Sequence, residues 1–157
     1  YKRASTMGGS LKTKENKSPT FLVWAMADAQ GTNLQRVQII KGWLDNGESK
    51  EKVYDATCSD GLEVDKSSHR CPDNGAKVNL NDCSISKNKG SRELKTLWKD
   101  PEFIEDQEAF YYVRVLENPV CRWSTWDAIR SNQLPRSDIK STIQERAWSS
   151  PIWITNY

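Results

Sequence analysis

AFYYVRVLENPVCRWSTWDA, residues 109–128, is the densest apolar and aromatic run in the chain, and its reading decides the fold. In an extended segment Tyr111, Val113 and Val115 fall on one face, and Phe110, Tyr112, Arg114 and Leu116 on the other. β-Branched and aromatic residues alternating at period two suit a pleated, half-buried surface. Asn118-Pro119 ends the strand, because proline lacks the ladder donor and drives its predecessor out of the helical region. Cys121, Arg122, Trp123 and Trp126 follow at once. A crosslink, a cation and two large rings make a structural centre there, and no catalytic constellation is legible in it.

The same period recurs on either side. Phe21–Ala27 (FLVWAMA) is apolar at every position, which predicts a central strand covered on both faces. Leu34–Trp43 alternates, with Val37 and Ile39 inward against Arg36 and Gln38. Asn46-Gly47 then gives the strongest short hairpin signal, since both central residues of such a turn need positive φ, and Glu51–Thr57 is the expected return strand. Arg92–Trp98 alternates again, with Leu94, Thr96 and Trp98 on one face. Between these strands Cys58–Lys89 is rich in Ser, Asp, Asn and Gly, and offers only Ala76–Leu80 as a short strand.

Helix signals are few. Pro101 suggests one or two turns over Glu102–Glu108, and Ser124 is placed to cap a short helix over Ser124–Ser131. Ser137–Gln144 is ambiguous. Ala147–Ile154 is extended, broken by Pro151, and expected at an edge. Short strands separated by turn signals predict a mainly β chain: an antiparallel β-sandwich, immunoglobulin-like or jelly-roll-like, with short helices and long loops. The sandwich domain is expected over 20–157. The polar, basic segment 1–19, with Lys12, Lys14 and Lys17, reads as a linker or arm from a preceding domain. Asn16-Lys17-Ser18 fits a glycosylation acceptor, and Gly8-Gly9 lacks the spacing of a phosphate cradle.

At 157 residues, 28% charged and 36% apolar, with 7 Trp and 5 Tyr, the chain has material for one folded domain. Its net charge of +2 gives no reason to expect nucleic acid or an anionic membrane as partner. No apolar run is long enough to span a bilayer. The chain begins at Tyr1, so the lack of a leader segment is uninformative.

Cys58, Cys71, Cys83 and Cys121 contain no C-x-x-C pair, so zinc is a weak reading. Two disulfides in an exported protein fit better than four buried thiols. Of the three pairings, the expectation is Cys71–Cys83 closing a local loop and Cys58–Cys121 tying that region to the central strand. The single histidine, His69, stands beside Cys71 without a placeable partner for base or ligand chemistry. Asp60, Asp65, Asp73 and Asp82, with Asn74, Asn79 and Asn81, are the oxygen-rich set calcium uses, but the spacing of an EF-hand is absent, and Asx turns account for the same composition. Trp24, Trp43 and Trp98 lie in strand patterns and are expected in the core. Trp123, Trp126, Trp148 and Trp153 lie near turns or the tail, where stacking platforms form. Glu145 and Arg146 are expected to pair and lock the tail.

Five motifs accumulate: Gln38–Trp43 (QIIKGW), Val53-Tyr54-Asp55, Arg70–Ala76 (RCPDNGA), Tyr111–Trp126 (YYVRVLENPVCRWSTW) and Gln144–Trp153 (QERAWSSPIW). Together they resemble a bacterial family known as domain of unknown function 3604, common in marine bacteria, from about Met7 to Trp153. The match departs at Ser10, where the family pattern has an acidic residue. The resemblance implies a longer exported or lipid-anchored protein whose amino-terminal half is similar to PHP (polymerase and histidinol phosphatase) metal-dependent phosphoesterases. This chain resembles only the carboxyl-terminal part, without the histidine-rich metal motifs, so no catalytic residue, metal site or cofactor is assigned to it. The expected function is a non-catalytic accessory region that packs on the catalytic half or shapes its entrance, with Arg122, Trp123, Trp126, Arg146 and Trp148 at the contact. The alternative is an independent carbohydrate-binding module using exposed tryptophans. A homo-oligomer through the surface meant for the absent half is a third option. A periplasmic or extracellular location follows from the resemblance and the cysteines.

Overall fold

The structure, a computed structural model, describes residues 4–12 and 17–155. Asn16 of the glycosylation motif lies outside them. The described residues form β1 (Ser10–Lys12), β2 (Thr20–Met26), β3 (Leu34–Asp45), β4 (Glu48–Cys58), β5 (Glu93–Lys99), β6 (Ala109–Glu117), β7 (Val120–Cys121), α1 (Trp123–Arg130), β8 (Thr142–Ile143), β9 (Arg146–Trp148) and β10 (Ile152–Thr155). The chain is mainly β, in several open sheets, as the alternation predicts.

The largest sheet runs β1-β10-β6-β3-β4, with β9 also paired to β6. β6 is its spine. One edge pairs with β3 from Ala109 to Glu117, and the other holds β10 opposite Ala109–Tyr111 and β9 opposite Arg114–Leu116. Pro151 forces the break between β9 and β10, because it has no N–H for a ladder. Ser149 bridges the gap: its N–H donates to the Val113 carbonyl, and its Oγ accepts from the Val113 N–H at 2.9 Å. β9 therefore sits at an edge, as the proline suggests, whereas β10 does not, since β1 pairs parallel along its far side. The β3–β4 hairpin turns at Asn46 and Gly47, both at positive φ, 51° and 84°.

β2 and β5 form a separate two-stranded ribbon, paired from Thr20↔Lys99 to Met26↔Glu93. Its inner residues Phe21, Val23 and Leu94 meet Val37, Ile39, Tyr111 and Ile154 of the large sheet in one buried cluster. The rings of Phe21 and Tyr111 lie 4.8 Å apart, and those of Tyr54 and Trp98 5.3 Å apart. The expectation that β2 is covered on both faces is corrected. Leu22, Trp24 and Met26 point away from the core, and Trp24 is not a core residue. Among the described residues the strand has one neighbour and one sheet beneath it, and none covers its outer face.

The disulfides also differ from the expected pairing: Cys58 bonds Cys71, and Cys83 bonds Cys121. Sequence distance favours closing the short 71–83 loop, but tertiary contacts decide otherwise. After β4 the chain folds back on its own edge, where the Asp55 N–H donates to the His69 carbonyl and the Cys71 N–H to the Asp55 carboxylate, setting Cys71 beside Cys58. The two crosslinks close loops of 13 and 38 residues. By chain entropy they stabilise by roughly 3 and 4 kcal/mol.

The expected strand Ala76–Leu80 shrinks to a single bridge, Val78 with Ile85. The polar loop is held by side-chain amides instead of an apolar core. Buried Asn74 bonds Gln35 and Asn118, and Asn118 donates to the Lys89 carbonyl. Asp73, Asn79 and Asp82 each accept from the N–H two residues on, closing Asx turns.

No helix forms over Glu102–Glu108: Asp100 Oδ1 accepts from the Glu102 N–H as a cap would, but the segment runs in turns, with Asp106 at φ 61°, outside the right-handed helical region. α1 starts one residue before expected. Its N-cap is Arg122, with no side-chain cap bond, and Ser124 lies inside the helix. The start is set by packing: the Arg122 N–H and the Thr125 hydroxyl both donate to the Ser141 carbonyl.

Candidate functional site

The five expected contact residues fall on two surfaces. Arg122, Trp123 and Trp126 open α1, whose position follows from the Cys83–Cys121 crosslink and the β7–β8 pair. Trp123 is 72% exposed, and the Arg130 guanidinium lies 5.2 Å from the Trp126 ring centroid. Arg146 and Trp148 lie on β9, opposite Leu116 and Arg114. Arg146 Nε donates to the Gln144 carbonyl at 3.4 Å and forms no ion pair with Glu145, which corrects the expected tail lock.

Sequence reasoning missed a buried ionic cluster. Lys41, inward on β3, places its ammonium 2.7 Å from Asp100 Oδ2, and neither side chain reaches solvent. The Tyr111 hydroxyl donates to the same carboxylate oxygen at 2.7 Å. Burial first, and then this bond, push Tyr111 well above the ordinary tyrosine range. Tyr54 repeats the arrangement at the rim. It donates to Glu102 Oε2 at 2.7 Å and is likewise pushed up, by burial and then by that bond. Lys52 clasps Glu102, and its hydrogen bond, with that of Tyr54, holds the carboxyl below its ordinary value. Both tyrosines are thus fixed as proton donors, and the cluster ties β3, β4 and β6 to the turn after β5. It latches these elements together. A legible signal existed: Lys41 occupies the next inward position after Val37 and Ile39.

His69 adjoins this cluster. Its Nε2 is 4.0 Å from Glu102 Oε1, and its ring meets the Tyr54 ring edge-on at 5.2 Å. With Trp98, Lys66 and Lys99 it borders an open groove of about 340 Å³. Among the described residues no group of three His, Cys, Asp or Glu side chains is placed to hold a metal. The carboxylates of the polar loop are bound locally: Asp65 accepts from Ser67 and Ser68, which hold it well below its ordinary value.

The most conspicuous surface is the outer face of the β2–β5 ribbon. Leu22 is 74% exposed, Trp24 65%, Met26 72% and Leu97 71%. Leu22 and Leu97 stand directly opposite each other, and the Lys95 ammonium lies 5.8 Å from the Trp24 ring.

A family described as "Protein of unknown function (DUF3604)" matches residues 1–156, nearly the whole chain. The chain belongs to this family. No curated protein and no solved structure matches it. In this DUF3604 chain two disulfides suit an oxidising compartment. Among the described residues no helix is long and apolar enough to cross a membrane.

Proposed function

We propose that this DUF3604 chain is a non-catalytic accessory region of a larger, PHP-like metal-dependent hydrolase, and that it docks on the catalytic half through the outer face of the β2–β5 ribbon. One observation carries this: the uncovered apolar strip of Leu22, Trp24, Met26 and Leu97. Single exposed apolar residues are ordinary, but four large ones on one short ribbon form a patch of the kind that marks an interface. Phe21–Ala27 has the composition of a strand buried on both faces, and the described residues supply only one cover. The docked ribbon then becomes a middle layer, and the large sheet and ribbon form an antiparallel sandwich completed by the partner. Metal and catalytic residues belong to that partner. Arg122, Trp123 and Trp126 on α1 form a second contact at the substrate entrance. The two crosslinks support a periplasmic or extracellular assembly.

The test is co-expression with the PHP-like half of a family member. The two should co-elute on gel filtration, and L22D/L97D should separate them without lowering the thermal midpoint of the accessory chain, because both side chains are already in water. Separate elution of the unaltered pair, or phosphoester hydrolysis by this chain alone with manganese or zinc, would overturn the proposal.

A further inference from the structure

The face of the large sheet turned away from the ribbon carries a second pattern. Register sets Trp153 opposite Phe110, Phe110 opposite Gly42, Tyr112 opposite Ile40, and Trp148 opposite Arg114. Directly opposed residues point to the same side of a sheet, so these rings share one surface. Gly42 lets the Phe110 ring lie down across β3, since a Cβ there would meet Phe110 Cζ at a clashing distance. The Phe110 and Tyr112 rings are 6.4 Å apart and within 14° of parallel, and Trp153 lies 5.1 Å from Phe110. Trp148 (59% exposed) and Trp153 (48%) stand at the two ends of this floor, four residues apart along β6, roughly 13 Å at strand rise.

Cations with no carboxylate partner among the described residues flank it. Arg114 Nε donates to the neutral Gln38 amide at 2.7 Å, and Arg146 to a backbone carbonyl; neither forms an ion pair among the described residues. Lys12 on β1 shares the face, two positions on from Ser10 opposite Trp153. Arg36 differs, because Asp55 neutralises it at 3.1 Å, and Asp55 also faces Arg70 at 3.7 Å. Glu51 is an acidic group on this side, at the far β4 edge opposite Gly42.

From this arrangement we infer an acidic-glycan site: a uronate-bearing or sulfated polysaccharide strand lies across β9, β10 and β6. The electron-rich ring faces of Trp148, Tyr112, Phe110 and Trp153 stack on the C–H faces of pyranose rings. Arg114 and Arg146 take the carboxylates or sulfates, for which the planar guanidinium is the matched donor. Single-stranded nucleic acid also uses stacking platforms and cations. The net charge of only +2 and the disulfides of an oxidising compartment favour the glycan. The site lies on the opposite side of the molecule from the docking ribbon, so neither proposal depends on the other.

The test is tryptophan fluorescence and calorimetry on the chain titrated with polygalacturonate, dextran sulfate, neutral dextran and single-stranded oligo-dT. The expected result is saturable binding to at least one acidic polymer and none to dextran. Trp148→Ala, Trp153→Ala and Arg146→Gln should each weaken it at least tenfold, with cooperative thermal unfolding retained because none of the three side chains belongs to the buried core. Leu134→Ala, at an exposed position after α1, should bind as the parent does. Failure to bind either acidic polymer, tighter binding of oligo-dT, or equal binding by the Trp148→Ala and Trp153→Ala variants would overturn the inference.

Discussion

Asp100 is the most exacting residue in the molecule. Its two oxygens serve the Lys41 ammonium and the Tyr111 hydroxyl, both out of water, and the half-buried Glu102 N–H. Removing it leaves a buried ammonium with only the Glu102 carbonyl and aromatic ring faces. Breaking a buried pair by deleting one partner costs about 3–5 kcal/mol, so Asp100→Ala should lower stability by that amount in urea unfolding. Glu117 acts in the opposite sense. Burial first, and then the charges of Asp28 and Glu145, raise its carboxyl above the ordinary 4.5 despite a hydrogen bond from the Thr32 N–H. A raised folded value penalises folding wherever the group is ionised and not below its unfolded value. Glu117→Gln should therefore raise the thermal midpoint at about pH 7 and leave it unchanged near pH 3. The inward Lys41 was legible from alternation alone. Its partner was not, because Asp100 lies 59 residues away.

Among the elements, β3 and β6 followed from their period, and the Asn46-Gly47 turn from its chemistry, because those signals are local. What failed depended on remote partners. The helix over Glu102–Glu108 gave way to turns with Asp106 at positive φ, and the start of α1 was set by Ser141 rather than Ser124. The β3–β6 crossing yields a further prediction. Gly42→Ala drives a methyl into the Phe110 ring and should cost about 1–3 kcal/mol by overpacking, and Phe110→Ala in the same chain should recover much of that loss. A double-mutant cycle in denaturant measures it. Opening the Cys83–Cys121 crosslink with paired serines frees the loop closure that orders the amide-bonded segment, and should cost about 2–5 kcal/mol.

Across the whole molecule, carboxyls held below their ordinary values tie stability to pH. Glu102 is lowered by Lys52 and Tyr54, and Asp82 by Ser84. Burial pushes Asp60 up, but hydrogen bonds from Gly90, Ser59 and Asn74 outweigh it. A depressed folded value contributes stability above the unfolded one, and that contribution is lost as pH falls through the folded value. The thermal midpoint should fall steadily on acidification below about pH 4.5, and Glu102→Gln should flatten part of that slope.

The sequence by itself determined the long strands, the hairpin, the core face of β6 and the presence of exposed tryptophans, because period and turn chemistry act within a few residues. Tertiary structure alone decided which cysteines meet and which carboxylate neutralises the buried lysine. It also decided that an all-apolar strand has one exposed face, and that Trp148, Trp153, Arg114 and Arg146 share a surface. Each of these depends on which distant segments lie side by side, and local spacing carries no record of that.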